Sequence, residues 1–142
     1  MLRELKTDPR FYLFGSRSKG FEIASSDWDF SAADVPANRK FLEALGLYSS
    51  DGEYAYDDLT TTIYIGVDDG VCIHVVLHSN ETLFRRAWEA ITPDCYEHCI
   101  SKRSVQFISQ QKNERKRLIR ERMNTAYAMV RINNTREIGY LS

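Results

Sequence analysis

The sequence has few of the features that mark secreted, fibrous or membrane proteins. It contains three cysteines and three prolines in 142 residues. It also lacks the run of ~18 apolar residues that a membrane-spanning helix needs. The number of cysteines is odd, and Cys72, Cys95 and Cys99 lack the spacing of a disulfide scaffold. The first ten residues lack the apolar core of a signal peptide. These absences predict a soluble, cytoplasmic protein that does not contact membranes.

The charges are distributed unevenly along the chain, although the net charge is only −1. Residues 1–100 contain nine Lys or Arg and seventeen Asp or Glu, whereas residues 101–142 contain ten and three. A basic segment of this kind is typical of an arm that contacts nucleic acid phosphates or a protein partner. A helix that docks on its own acidic domain, or that is simply solvated, explains the same pattern, and both interpretations stay open.

Alternating apolar residues predict a small sheet in the first half of the chain. Residues 10–15, RFYLFG, follow Asp-Pro and stop at a glycine, which predicts a buried strand. The stretch SDWDFSA alternates, so Asp27 and Asp29 are expected on one face of a second strand. A hairpin is predicted by two β-branched runs around an Asp-Gly turn, TTTIYIGV, DDG and VCIHVVLH. In this hairpin Ile73, Val75 and Leu77 face the core. The opposite face would hold Cys72, His74, Val76 and His78.

The remaining segments have helical periodicity. Pro36 and Gly46 bound a predicted helix over residues 36–46, and Asn80 is a suitable cap for ETLFRRAWEAI. Thr92-Pro93 would begin another helix, PDCYEHCISKR, and residues 105–131 would form one helix, or two with a break near Asn113. The fold class is therefore α+β: a small mixed sheet flanked by helices, with a core over residues 8–79 and a helical extension over 80–142, in one domain.

A Gly-Ser turn precedes the two aspartates by about a dozen residues, in the stretch FGSRSKGFEIASSDWDFSA. Glycine lets backbone N–H groups approach a polyphosphate closely, and the N-terminus of a following helix favours anions. Two carboxylates on one strand face can bind the divalent ions that assist phosphoryl transfer. The turn and the carboxylates together predict a site for a nucleoside triphosphate and its metals.

These residues carry a resemblance to a known family. The order strand, Gly15-Ser16, Arg17, Gly20, Ser26-Asp27, Asp29 resembles the DNA polymerase β-type nucleotidyltransferase superfamily, especially its small, minimal-nucleotidyltransferase-like members. The motif spans residues 11–33, with a weaker likeness in element order to about residue 78. The resemblance implies a nucleotidyltransferase fold in which Gly15 and Ser16 hold the triphosphate and Asp27 and Asp29 bind catalytic Mg²⁺. Arg17 and Lys19 would lie beside the triphosphate, or be ordinary charges on a helix surface.

The sequence departs from the family pattern where a third carboxylate is expected, because His74 stands there. Histidine is a poor ligand for Mg²⁺ and a better one for Mn²⁺, and when neutral it can act as a general base. One hypothesis is metal-dependent transfer of a nucleoside monophosphate to a hydroxyl of an RNA end, a protein side chain or a small molecule. The other is a catalytically silent protein of this fold that binds nucleotide or a partner as a regulator or inhibitor.

Two further groups of residues have the side chains of metal sites. Cys95, His98 and Cys99 share one predicted helix but lack a second ligand pair at zinc-site spacing, so packing is the better interpretation. Cys72, His74 and His78 share a strand face and would suit a soft metal.

Overall fold

The structure is a computed structural model that describes residues 1–22, 24–50, 61–93 and 105–141. The chain divides into two compact units, Met1–Arg85 and Arg86–Ser142. The elements of the first unit are α1 Leu2–Thr7, β1 Tyr12–Phe14, α2 Ser16–Lys19, β2 Trp28–Ala33, α3 Pro36–Ala44, β3 Tyr48–Ser50, β4 Thr61–Asp68 and β5 Val71–His78. α4 Glu81–Glu89 crosses the boundary between the units, and α5 Val105–Leu141 belongs to the second.

The strands of the first unit form one sheet in the order β1-β2-β5-β4-β3. β2 and β5 are parallel, and the other neighbouring pairs are antiparallel. This arrangement confirms the predicted α+β class with a mixed sheet. The strand predicted at residues 10–15 is present as β1, and β2 begins at Trp28, so Asp27 precedes the strand that was expected to include it.

The hairpin of β4 and β5 follows the sequence prediction closely. Asp69 and Gly70 occupy its turn with φ values of 52° and 74°. A two-residue turn of this handedness matches the twist of the flanking strands, and Asp-Gly is a preferred pair for it. The turn fixes the register, in which Ile65 pairs with His74 and Tyr64 with Val75.

One face of the sheet, here called the core face, carries the main hydrophobic cluster. Ile73, Val75 and Leu77 of β5 are fully buried there, as predicted. They join residues from the strands, from α1 and α3 and from the adjoining loops: Leu5, Phe11, Phe30, Ala32, Leu42, Leu47 and Tyr64. At about 1.5–3 kcal/mol for each large apolar side chain, this burial is the main stabilisation of the first unit.

The opposite face, here called the site face, carries Asp29 and Ser31 of β2 and His74, Val76 and His78 of β5. It is covered at one end, because Phe84 of α4 stacks on His78 at 4.2 Å and meets Phe14 edge to face at 5.0 Å. Val76 and His78 are therefore 2% and 1% exposed. At the other end, Asp29 and His74 keep 23% and 28% of their side-chain surface exposed, which leaves them accessible to a ligand.

The predicted helices of the described residues are present with small differences in length. α3 starts at Pro36 and ends at Ala44. The side chain of Asn80 accepts a hydrogen bond from the Leu83 N–H at 3.2 Å, which confirms it as a cap for α4. The helix predicted after Thr92-Pro93 and the set Cys95, His98 and Cys99 lie outside the described residues.

The second unit contains one continuous helix, α5, of 37 residues, without a break at Asn113. A helix of this length extends about 55 Å. Ile119, Met123, Ala126 and Tyr127, at helical spacing along α5, are buried. Thr92 Oγ1 accepts a hydrogen bond from Arg122 at 2.7 Å. Among the described helices, none combines the length and the apolarity that crossing a membrane requires.

Candidate functional site

Gly15 joins β1 to α2 in a conformation that only glycine adopts easily. Its φ is 77° and its ψ is −165°. A Cβ placed there would overlap Asp29 Oδ2 and lie 3.1 Å from Asp29 Cγ. The turn is closed by Ser18, whose hydroxyl donates to the Gly15 carbonyl at 2.7 Å. Glycine is thus required at position 15 for two reasons: the backbone conformation, and the close approach of the Asp29 carboxylate.

Asp29 lies in the sheet itself, whereas Asp27 lies just before it. Phe14 and Asp29 are register partners of β1 and β2, and Asp29 is also the partner of His74 on β5. Asp27 is more exposed, with 47% of its side-chain surface accessible against 23% for Asp29. The Asp-x-Asp spacing still brings both carboxylates to one place, because both reach the His74 ring.

His74 lies within ion-pair distance of the two carboxylates. Its Nδ1 is 3.5 Å from Asp29 Oδ1 and 3.8 Å from Asp27 Oδ2. The hydrogen bond with Asp29 is the main reason that the pKa of His74 is raised above its ordinary value. Burial raises the pKa of Asp29, although the hydrogen bond from His74 acts in the opposite direction. The three side chains therefore form one cluster, within which the protonation of His74 and that of Asp29 depend on each other.

Cys72 adjoins this cluster on the same strand face. Its Sγ lies 3.4 Å from His74 Nε2, so the thiol and the carboxylate contact opposite ring nitrogens. Burial raises the pKa of the Cys72 thiol, and the charges of Asp27 and Asp29 add to the increase. A protonated thiol can donate to Nε2 while Nδ1–H donates to Asp29, which orients the ring.

The cations predicted beside the triphosphate have different surroundings. Arg17 donates to the Ser26 carbonyl from Nε at 3.1 Å and from Nη2 at 2.9 Å. Its guanidinium also lies 4.2 Å from the centre of the Trp28 ring. Ser16 is the first residue of α2 and Lys19 the last, and both are partly exposed. The Gly15-Ser16 turn, the two aspartates and His74 thus lie close together, while Arg17 turns to the loop before β2.

The oxygen donors of the cluster fit a magnesium ion that arrives with a substrate. Mg²⁺ is usually held by one or two carboxylates together with water and substrate phosphates. Asp27 and Asp29 supply two carboxylates. Within the described ranges, no group of three or more His, Cys, Asp or Glu side chains is arranged to hold a metal ion. Two carboxylates supply only part of the coordination of a Mg²⁺ ion, whose other ligands are usually water and phosphate oxygens.

The alternative soft-metal set of Cys72, His74 and His78 is not brought together. His74 and His78 are four residues apart on one strand, which separates them by about 13 Å. His78 is buried under Phe84, and burial lowers its pKa to about 4. Neither of its ring nitrogens has a hydrogen-bond partner among the described residues.

A polar network beside the site was not anticipated from the sequence. Ser31, fully buried on β2, donates to Glu81 Oε1 at 3.3 Å, and the same oxygen accepts from Arg85 Nε. Arg85 also donates to the Arg10 carbonyl at 3.2 Å. Glu81 and Arg85 are four residues apart on α4, and this i, i+4 spacing is the one signal that the sequence offers.

Comparison of the chain with protein-family models, with curated proteins and with solved structures finds no match in any of the three.

Proposed function

We propose that the first unit is a nucleotidyltransferase-type domain that transfers a nucleoside monophosphate from a nucleoside triphosphate to an acceptor hydroxyl. The observation that carries the proposal is that the Gly15 turn and His74 both lie beside the side chain of Asp29. This one side chain contacts the Gly15 turn and lies opposite His74 on the parallel neighbour strand. The order of strand, turn, short helix and Asp-bearing strand, followed later by β5 parallel to that strand, supports the likeness to the nucleotidyltransferase fold that the motif suggested.

The residues of the site divide the work by their chemistry. Asp27 and Asp29 offer hard oxygen ligands, and Gly15-Ser16 offers backbone N–H groups and a hydroxyl to the phosphates. A divalent ion, Mg²⁺ or Mn²⁺, supplies charge neutralisation for the phosphates when it is bound. Asp29 is the residue common to the turn and the carboxylate pair, so it aligns the two halves of the site.

In this proposal His74 is the general base for the acceptor hydroxyl. With Nδ1–H directed at Asp29, Nε2 of the neutral ring accepts the proton of the hydroxyl, which takes the place of the Cys72 thiol at that nitrogen, and Asp29 stabilises the resulting imidazolium. The acceptor oxygen then forms a bond to the α-phosphorus, the bond from that phosphorus to the bridging oxygen breaks, and pyrophosphate leaves with the electron pair. The same hydrogen bond that orients His74 raises its pKa, so more of the ring is protonated at neutral pH.

The second candidate function is nucleotide binding without transfer, and one observation favours it. The His74 ring lies within ion-pair distance of both carboxylates, at the position where the family pattern has a third carboxylate, and when protonated it would compete with a metal ion for them. A protein with this arrangement would hold a nucleotide or a protein partner and act as a regulator. The basic helix α5 offers a contact surface for RNA or for a protein in either case.

The test is a survey of the four ribonucleoside triphosphates labelled at the α-phosphate, each with Mg²⁺ and with Mn²⁺. Filter retention measures binding, and transfer is measured as the α-phosphate label that becomes attached to added RNA ends, protein or small alcohols while unlabelled pyrophosphate is released. Binding with pyrophosphate release supports the transferase. Binding of the triphosphate without release supports the silent binder, and absence of metal-dependent binding contradicts both.

A further inference from the structure

Arg17 contacts both residues that flank Asp27. It donates two hydrogen bonds to the carbonyl of Ser26, on one side, and stacks on the ring of Trp28, on the other. A third hydrogen bond, from Nη2 at 3.3 Å, goes to the Ala24 carbonyl. We propose that Arg17 is a positioning residue that fixes the Asp27 carboxylate against Asp29, an inference that rests on the proposed function.

Asp27 needs such support because the sheet does not hold it. Trp28 is the first residue of β2 with a register partner, Ile73, and the residues before it belong to a loop. Asp29, in contrast, has partners on both sides, Phe14 and His74. Without a contact that supports the loop, the Asp27 carboxylate would be more mobile than that of Asp29. A pair of ligands binds a metal ion tightly only when both are held in place.

The chemistry of arginine suits this role better than that of lysine. A planar guanidinium can direct two N–H groups at one carbonyl and at the same time lie flat over an indole ring. Lys6 completes the surroundings of Trp28, with Nζ 4.1 Å from the ring centre. A lysine at position 17 would keep the charge but could not reproduce the paired hydrogen bonds and the stacking together. The role differs from the phosphate contact that the motif suggested for Arg17.

The experiment compares Arg17→Lys and Arg17→Gln with Lys19→Gln, a control on the same short helix that removes one positive charge. Mn²⁺ binding to the full chain is measured from the electron paramagnetic resonance signal of the free ion. Positioning predicts that both Arg17 variants lose about tenfold in Mn²⁺ affinity. A purely electrostatic role predicts a higher Mn²⁺ affinity for Arg17→Gln, because the two carboxylates attract the cation more strongly once a nearby positive charge is removed.

Amide hydrogen exchange in the metal-free proteins supplies a second measurement. Exchange of the amides of residues 24–28 is expected to accelerate in both Arg17 variants and to stay unchanged in Lys19→Gln. The role of Arg17 would be overturned if the parent binds Mn²⁺ and the Arg17 variants bind it equally well and show no faster amide exchange. If the parent binds Mn²⁺ only together with ATP, the same comparison of variants is made with ATP present. Parent protein that binds Mn²⁺ neither alone nor with ATP would overturn the proposed function, and the metal-positioning role with it, even if exchange showed that Arg17 orders the loop.

Discussion

Asp29 Oδ1 lies 3.5 Å from His74 Nδ1, and the two residues are register partners on the parallel strands β2 and β5. Their contact is set by the backbone ladder, which places both side chains on the same face. The geometry of this pair therefore depends on the core that holds the two strands together. Substitutions at the pair can change its chemistry while leaving the hydrophobic cluster on the core face intact.

Asp27→Asn and Asp29→Asn, singly or together, are expected to abolish metal-dependent triphosphate binding. Asparagine keeps the shape of the side chain but removes the negative charge that attracts the ion. Binding is measured by filter retention of a labelled triphosphate with Mg²⁺, and circular dichroism checks the fold. Asp69→Asn is the matched control, because this residue lies in the hairpin turn with a φ of 52°, which asparagine tolerates. Unchanged affinity in a folded double variant would remove the proposed site.

His74→Asp is expected to lower turnover, because it removes the proposed base, and to reduce the preference for Mn²⁺, because it supplies the third carboxylate of the family pattern. Like charges in one cluster destabilise the metal-free protein, so Mg²⁺ is expected to raise the melting temperature of this variant more than that of the parent. Initial rates and thermal unfolding with and without Mg²⁺ measure both effects. A variant with higher turnover in Mg²⁺ than the parent would show instead that position 74 serves better as a metal ligand, and would contradict the role of His74 as the base.

If His74 is the base, the rate of the parent depends on pH in a defined direction. The pKa of His74 is raised above 6.5, so the neutral, proton-accepting form gains population only at higher pH. The rate is expected to rise with pH above about 6.5 and then level off. The pH profile of His74→Asp is expected to lack this rise. A parent rate that is flat from about pH 6 to about pH 8 would exclude His74 as the base.

Gly15→Ala is expected to destabilise the protein by about 1–3 kcal/mol and to displace Asp29 from the cluster. The cause is the positive φ together with the overlap with the Asp29 carboxylate. Gly20→Ala is the control, because Gly20 has a φ of 79° and no atom within 4 Å of an added Cβ. Urea unfolding and triphosphate binding are measured for both. Equal losses of binding in the two variants would show that strain alone, and not the contact with Asp29, accounts for the effect.

Protonation of His78 is expected to weaken the fold in mild acid. Burial lowers its pKa from 6.5 to about 4, so between these values the unfolded chain binds the proton more readily and stability falls as the pH decreases. Between about pH 7 and about pH 5 the loss is about 2 kcal/mol. His78→Leu is expected to remove this component from urea unfolding measured at both pH values. An identical pH dependence in the variant and the parent would contradict it.

The basic residues of α5 are expected to bind single-stranded RNA with an affinity that falls steeply with salt, because contacts with phosphates release counterions. Replacing Lys116 and Arg120 by glutamine is expected to flatten the slope by about 0.7 for each phosphate that is no longer neutralised. Arg117→Gln is the control, since Arg117 is already paired with Glu114 and Glu121. Fluorescence anisotropy of a labelled oligonucleotide measures the slope. A slope near zero in the parent would assign these charges to solvation or to contacts within the protein.

The sequence patterns were sufficient for the elements that depend on local periodicity. The Asp69-Gly70 turn, the alternation along β5 and the Asn80 cap were predicted because each is encoded within a few residues. The likeness to a family motif led to Gly15, Asp29 and His74. The contact between Gly15 and Asp29 could not be read from periodicity, because it depends on how closely two segments approach in space.

Other features could not be derived because the same residue type serves two purposes. Arg17 was expected beside the triphosphate or as an ordinary charge on a helix surface; its guanidinium donates to backbone carbonyls and lies over an indole ring, and its contact with a triphosphate stays a prediction. A basic residue in a motif does not by itself predict which hydrogen-bond acceptor its side chain will contact, because that depends on the path of the following loop. Asp27 was expected within β2 for a similar reason: alternation continues one residue beyond the pairing of the strand.

The parallel pairing of β2 and β5 also bears on how the protein folds. Its residues are far apart in sequence, and the antiparallel hairpin of β4 and β5 can form from local contacts long before β2 is added. The cluster of Asp27, Asp29 and His74 requires the pairing of β2 with β5, which brings Asp29 beside His74. The NMR signal of the His74 ring is therefore expected to report on this pairing during folding.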